Sequence, residues 1–167
     1  MGLFSLFSKG GSSENGVTID VETTGFSNYD EILSVSAVDD DGNVLFEKKF
    51  RPEHRKSWGR SEAVHGISPD DVEDCDYFSD HVDEFQEIID NADVVRGYNV
   101  SFDKRFLERQ GIDFDSSETQ DVYKEYRDQY GSASLEDAAS NFGIKFNAHD
   151  SLSDAQATRK LHKKLNR

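Results

Sequence analysis

The chain has 167 residues, 35% of them hydrophobic, which is enough for one domain with its own core. Asp and Glu number 34 against 19 Lys and Arg, a net charge of −15 that excludes a protein coating nucleic acid through general electrostatic attraction. The single Cys75 excludes an internal disulfide and a cysteine-based zinc cluster and fits a reducing compartment such as the cytoplasm, and no apolar run reaches the length of a membrane span.

Residues 1–16, MGLFSLFSKGGSSENG, read as a flexible tail: an apolar tip (Leu3, Phe4, Leu6, Phe7) and a Gly/Ser-rich linker. The apolar part is too short for a signal peptide, and its charge, Lys9, follows it. Leu6 stands where a myristoylation signal needs Ser or Thr. The domain proper spans 17–167. Val17 to Val21 predicts a short buried strand and Glu31 to Asp39 a second. The Asp-Gly in Asp39–Asn43 predicts a hairpin turn into a third strand, Val44 to Phe50. Arg51 to Arg60 reverses the prevailing charge, with Arg51, Arg55, Lys56 and Arg60 around Trp58. It reads either as a solvated loop or as a patch that follows a phosphate backbone with one aromatic free to stack.

Ser68 with Pro69 predicts a helix start. Phe78, Val82, Phe85 and Ile89 recur at helical spacing and belong to the core. Asp93 to Tyr98 predicts a fourth strand, Phe102 to Gln110 a helix and Thr119 to Val122 a fifth strand. Ser134 with Asp137 predicts a capping box. A last helix starts near Leu152 and buries Leu152, Ala155, Thr158, Leu161 and Leu165. Strands that first form a hairpin and then alternate with helices predict an α/β domain, a mixed sheet with helices packed on it.

Asp20 and Glu22 stand out in the first strand. Side chains at i and i+2 share a face, so the two acids project together while Ile19 and Val21 face the other way. Close like charges repel unless a cation lies between them. The pair is either a solvated edge or part of a site for a hard divalent ion. If Asp20 and Glu22 hold metal, further carboxylates must converge on them. Asp103 opens a helix directly after the fourth strand, where alone it would be a helix-dipole partner. Asp154 borders the buried face of the last helix, and His149 stands at that helix's entrance.

Taken in order, DVETTG, AVHGIS, NVSFD, SLEDAASNFGI and HDSLSD resemble the motifs of the DEDDh 3′–5′ exonucleases, the family of the epsilon proofreading subunit of bacterial DNA polymerase III and of RNase T. The likeness runs from about Val17 to the C-terminus. It implies an RNase H-like fold and two divalent ions, Mg²⁺ or Mn²⁺, held by Asp20, Glu22, Asp103 and Asp154, with His149 as the base that takes a proton from the attacking water. A turn formed by Thr23, Thr24, Gly25 and Phe26 would meet the terminal nucleotide, with His65 near its phosphate and Asn99 and Phe102 in support. The implied partner is the 3′ end of a nucleic acid, single-stranded DNA first, with RNA as the alternative and with a polymerase or other protein as a possible non-covalent partner. A catalytically idle nucleic-acid-binding or scaffold domain of the same fold is the other reading. The Arg51–Arg60 loop and the acidic SNYDE stretch after the first motif depart from the family pattern.

Overall fold

The computed structural model describes residues 13–167. Residues 1–12 of the expected tail lie outside the described residues, and Glu14 and Asn15 are held. The Asn15 N–H donates to Asp93 Oδ2 (2.8 Å), and Glu14 pairs with Arg96 (2.8 Å).

Five strands, β1 (Gly16–Thr23), β2 (Ile32–Asp39), β3 (Val44–Lys49), β4 (Val94–Gly97) and β5 (Glu118–Asp121), form one mixed sheet in the order β3-β2-β1-β4-β5. The β1–β2–β3 run is antiparallel, whereas β4 lies parallel to β1 and β5 parallel to β4. Chain connections therefore leave the parallel neighbours β1 and β4 in opposite directions. That is the place where open sheets carry their sites, beyond the carboxyl ends of the strands.

Alternation along β1 divides its side chains between two environments. Val17, Ile19 and Val21 join Val35, Ala37 and Val95 beneath Phe85 and Ile89 of α3 (Val82–Asp90) and Phe106 and Leu107 of α4 (Val100–Arg109). Burying each of these large side chains stabilises the fold by roughly 1.5–3 kcal/mol. On the opposite face, Asp20 pairs across with Ser36 and Glu22 with Ser34. That polar seam lies under α7 (Ser151–Leu165), whose Ser151 Oγ sits 2.6 Å from Ser34 Oγ and 2.7 Å from Ser36 Oγ. Small hydrogen-bonded side chains bring the start of α7 close to β1 and β2, and Asp154 comes with it. At the other end of β1, the buried Arg96 guanidinium binds Asp40 and Gln120 as well as Glu14. A Cβ on Gly16 would stand 2.0 Å from that guanidinium, so any larger residue there would displace the Arg96–Asp40 pair.

Several local expectations change. Trp58 is buried against Leu33, Ile67 and Val72, and its Nε1–H donates to the Ile67 carbonyl (2.7 Å), so it is not free to stack on a base. The Arg51–Arg60 loop is organised by one carboxylate: Glu31 accepts backbone N–H bonds from Glu53, His54 and Arg55. Two short helices follow, α1 (Gly59–His65) and α2 (Pro69–Val72). The reciprocal capping box occurs at Ser68 and Asp71, while Ser134 caps α6 (Leu135–Asn141) in one direction only, by accepting the Asp137 N–H. Phe78–His81 is a 3₁₀ turn leading into α3. Val122, expected to end the fifth strand, begins α5 (Val122–Tyr130) under an Asp121 cap.

Candidate active site

Asp20 and Glu22 lie on the sheet face covered by α7. One carboxylate oxygen from each, and one from Asp154, all fall within 4.8 Å of one another. Asp20 Oδ2 has no access to solvent and no hydrogen-bond partner among the described residues. An unpartnered buried carboxylate oxygen is costly unless a cation or proton meets it. Burial, then Asp103 and then Glu22 hold the Asp20 carboxyl well above the usual range. Burial, followed by Asp154, Asp103 and Asp150, pushes Glu22 up to about 8. Asp154 is pushed up to about 6, chiefly by burial, against the lowering effect of the His149 N–H bond. An all-oxygen, all-anionic donor set with one oxygen left over fits a hard divalent cation.

Asp103 reaches the same strand from the other side. The pairing of β4 with β1 ends at Thr18 and Arg96, and further along the Val21 N–H donates to Asp103 Oδ1 (2.9 Å). The side chain is buried, and burial holds its carboxyl up as well. Its charge is felt by both Asp20 and Glu22. A second group of potential ligands, Glu31, Glu53 and His54, has a different logic, because backbone N–H groups already occupy the Glu31 carboxylate.

His149 sits in the left-handed region (φ 66°) just before α7. Its N–H donates to Asp154 Oδ1 (3.0 Å), and its exposed ring places Nε2 3.3 Å from Glu136 Oε1 of α6. The residue expected as a base is thus tied by its backbone to one of the clustered acids.

Beside the acids lies an open pocket of about 410 Å³, bounded by Glu22, Thr23, Phe26, Phe102 and His149, together with Arg60, Ser61 and Val64 of α1. Phe26 is 79% exposed and meets Phe102 edge to face at 5.8 Å, forming an aromatic wall. Of the residues expected at the substrate, Thr23, Phe26 and Phe102 line this pocket, whereas Thr24, Gly25, His65 and Asn99 have other contacts. The Thr24 hydroxyl donates to Asp30 and accepts from the Glu31 N–H. A Cβ on Gly25 would come within 2.6 Å of Asp30 Oδ2, so any larger residue there would push Asp30 from its bonds to Thr24 and Ser27. His65 Nδ1 accepts the Ile67 N–H, which leaves Nε2 to donate to the Thr23 carbonyl (3.0 Å). Burial lowers the His65 pKa, favouring the neutral ring that this arrangement uses. Asn99 turns the chain from β4 into α4 in the left-handed region (φ 61°), its N–H held by Asp121.

The residues that support this turn do not stand out in the sequence. Asp30 binds Thr24 and Ser27 and pairs with Arg55 (3.1 Å), so the acidic stretch after the first motif organises the turn. Arg105 and Arg109 of α4 donate to the carbonyls of Phe26 and Asp30. The clue available for the arginines was their i, i+4 spacing on the Asp103 helix. Asp30, in an irregular loop, offered none.

A family model described as RNase_T, exonuclease, matches residues 17–162. Exonuclease X in complex with 5′ overhanging duplex DNA has the same fold, with a TM-score of 0.73 at 20% identity over 90% of each chain. The zinc-bound E. coli exonuclease I–ssDNA complex gives 0.75 at 19% identity, over 90% of this chain and 40% of that one. A 3′-exonuclease described with recognition of the histone mRNA stem-loop gives 0.72 at 14% identity, over 92% and 64%. No curated protein sequence matches the chain. Among the described residues, no helix is long and apolar enough to cross a membrane.

Proposed function

The chain belongs to the exonuclease family of 3′–5′ phosphodiester hydrolases, and from that premise we propose that it releases 5′-mononucleotides stepwise from the 3′ end of single-stranded DNA at the Asp20–Glu22–Asp154 cluster. The observation that carries this reading is the unpartnered Asp20 Oδ2, buried among like charges beside a pocket with an aromatic wall.

Asp20, Glu22 and Asp154, with Asp103 bonded to the same strand, would hold two divalent ions, Mg²⁺ or Mn²⁺. Ions bound there supply an acidified water and charge neutralisation at the leaving oxygen. The chain's own residues do the rest. His149, whose exposed ring faces Glu136 in the substrate-free chain, takes the water proton on an imidazole nitrogen turned toward the acids. Phe26 and Phe102 receive the last base, which selects an unpaired end, since fraying a duplex costs about 1.4 kcal/mol per stacked step. His65 and Ser61 fix the carbonyls of Thr23 and Thr24, so the entrance turn keeps its shape as substrate arrives.

The preference for DNA is supported by neighbours of the same fold, exonuclease X and exonuclease I, described in complex with duplex DNA and with ssDNA. RNA trimming is the competing assignment. The test is a set of end-labelled DNA and RNA oligomers, linear and circular, with Mg²⁺ or Mn²⁺ and with chelator. The reading expects metal-dependent shortening of linear single-stranded DNA from the 3′ end, and efficient cutting of circles would overturn it.

A further inference from the structure

The basic Arg51–Arg60 loop is only partly used by the fold. Arg51 lies over the Tyr77 ring and donates to the Glu73 carbonyl, and Arg55 pairs with Asp30. Among the described residues, Arg60 makes neither an ion pair nor a hydrogen bond, yet it lines the pocket with Glu22, Phe26, Phe102 and His149. The helix that carries it is anchored to the strand that carries the acids. Ser61 Oγ donates to the Thr24 carbonyl (3.0 Å), His65 Nε2 to the Thr23 carbonyl (3.0 Å), and the buried Trp58 fixes the helix entrance. The backbone that carries Arg60 is therefore fixed beside the pocket, and among the described residues its exposed guanidinium is the one lysine or arginine cation in a lining of apolar, hydroxyl and imidazole side chains and one acid, Glu22.

Resting on the exonuclease reading, we propose that Arg60 binds the phosphodiester next to the scissile one, and so sets affinity for a polynucleotide chain as opposed to a single nucleotide ester. The apolar walls suit the base, and the clustered acids suit the scissile phosphate through cations. On a strand of three or more nucleotides, the remaining anion nearest the site is the next phosphodiester. In a chain of net charge −15, an unpaired guanidinium at the pocket rim is well suited to it, because a planar fork of donors matches phosphate oxygens.

The test compares wild type, Arg60→Ala, Arg60→Lys and Lys56→Ala on two substrates in Mn²⁺. One is a single-stranded oligonucleotide. The other is the 4-nitrophenyl ester of thymidine 5′-monophosphate, which carries only the scissile phosphate. Arg60→Ala is expected to raise the oligonucleotide KM about tenfold at little change in kcat. It should flatten the log–log salt dependence of kcat/KM by about 0.7, the loss of one single-strand phosphate contact. Turnover of the ester should be unchanged, Arg60→Lys should keep the salt slope, and Lys56→Ala, an exposed cation outside the pocket, should behave as wild type. Unchanged KM and slope in Arg60→Ala, equal losses on both substrates, or the same effect from Lys56→Ala would each overturn the assignment. A wild type that cleaves neither substrate would remove the exonuclease reading and this inference with it.

Discussion

Asp103 Oδ1 accepts the backbone N–H of Val21 at 2.9 Å, so an acid from α4 is fixed to the strand that carries Asp20 and Glu22. The bond and the charge can be separated by mutation. Asp103→Ala leaves a buried N–H unpaired, at a cost of about 1–3 kcal/mol. Asp103→Asn keeps an acceptor there and removes a charge that raises its neighbours. In chelator, thermal unfolding should show Asp103→Ala below wild type and Asp103→Asn at or above it, with both nearly inactive when metal is restored. An Asn variant less stable than the Ala variant would show that the N–H bond is not what Asp103 contributes to the fold.

Stability of the metal-free chain should fall as pH rises. Glu22 moves from an ordinary 4.5 up to about 8, and Asp154 from 3.8 up to about 6. Between the ordinary and raised values the folded chain binds protons that the unfolded chain has released, so each step upward in pH favours unfolding. The decline begins near pH 3.8, where the share of Asp154 starts, and continues to about pH 8, where the share of Glu22 is complete. Glu22→Gln should flatten it, and added Mn²⁺ should restore stability most at the alkaline end. A melting temperature in chelator that rises across this range would contradict the cluster's electrostatics.

His149→Ala should lower kcat by roughly two to four orders of magnitude. Mn²⁺ affinity measured by calorimetry should change little, because the His149 side chain reaches Glu136 and it is the backbone N–H that meets Asp154. Lost metal affinity at an unchanged saturated rate would make the imidazole a ligand instead.

Phe26→Ala should leave the melting temperature nearly unchanged, since the ring is exposed and touches chiefly Phe102. Its KM for single-stranded DNA should rise by roughly tenfold, the low end of base–aromatic stacking, with a smaller effect on kcat. A lost kcat at unchanged KM would place the ring's role in aligning the chemistry.

What could be read in the sequence depended on whether a residue's role followed a period. Asp20 and Glu22 were legible because a strand repeats every two residues, and the five ordered motifs carried the fold and the family. The core stripe from Phe78 to Ile89 was legible for the same reason. Trp58 was not, because its polar neighbours suggested a surface loop while one hydrogen bond to Ile67 and contacts distant in sequence bury it. α5 was missed because only Val122 and Tyr126 along it are buried, too sparse a stripe to register. The second role of the TTGF turn was also hidden: Asp30, not substrate, occupies Thr24 and crowds Gly25.

The proposed activity requires Asp20 to hold catalytic metal at a site that cuts from a free 3′ end. Its most direct test is the rate at which Asp20→Asn releases mononucleotides from a 5′-labelled single-stranded oligonucleotide at saturating Mn²⁺, beside wild type. Wild type should yield a ladder shortening from the 3′ end that chelator abolishes, and the variant, folded and at least as stable in chelator, should be slower by about three orders of magnitude or more. An Asp20→Asn rate close to wild type would contradict the claim.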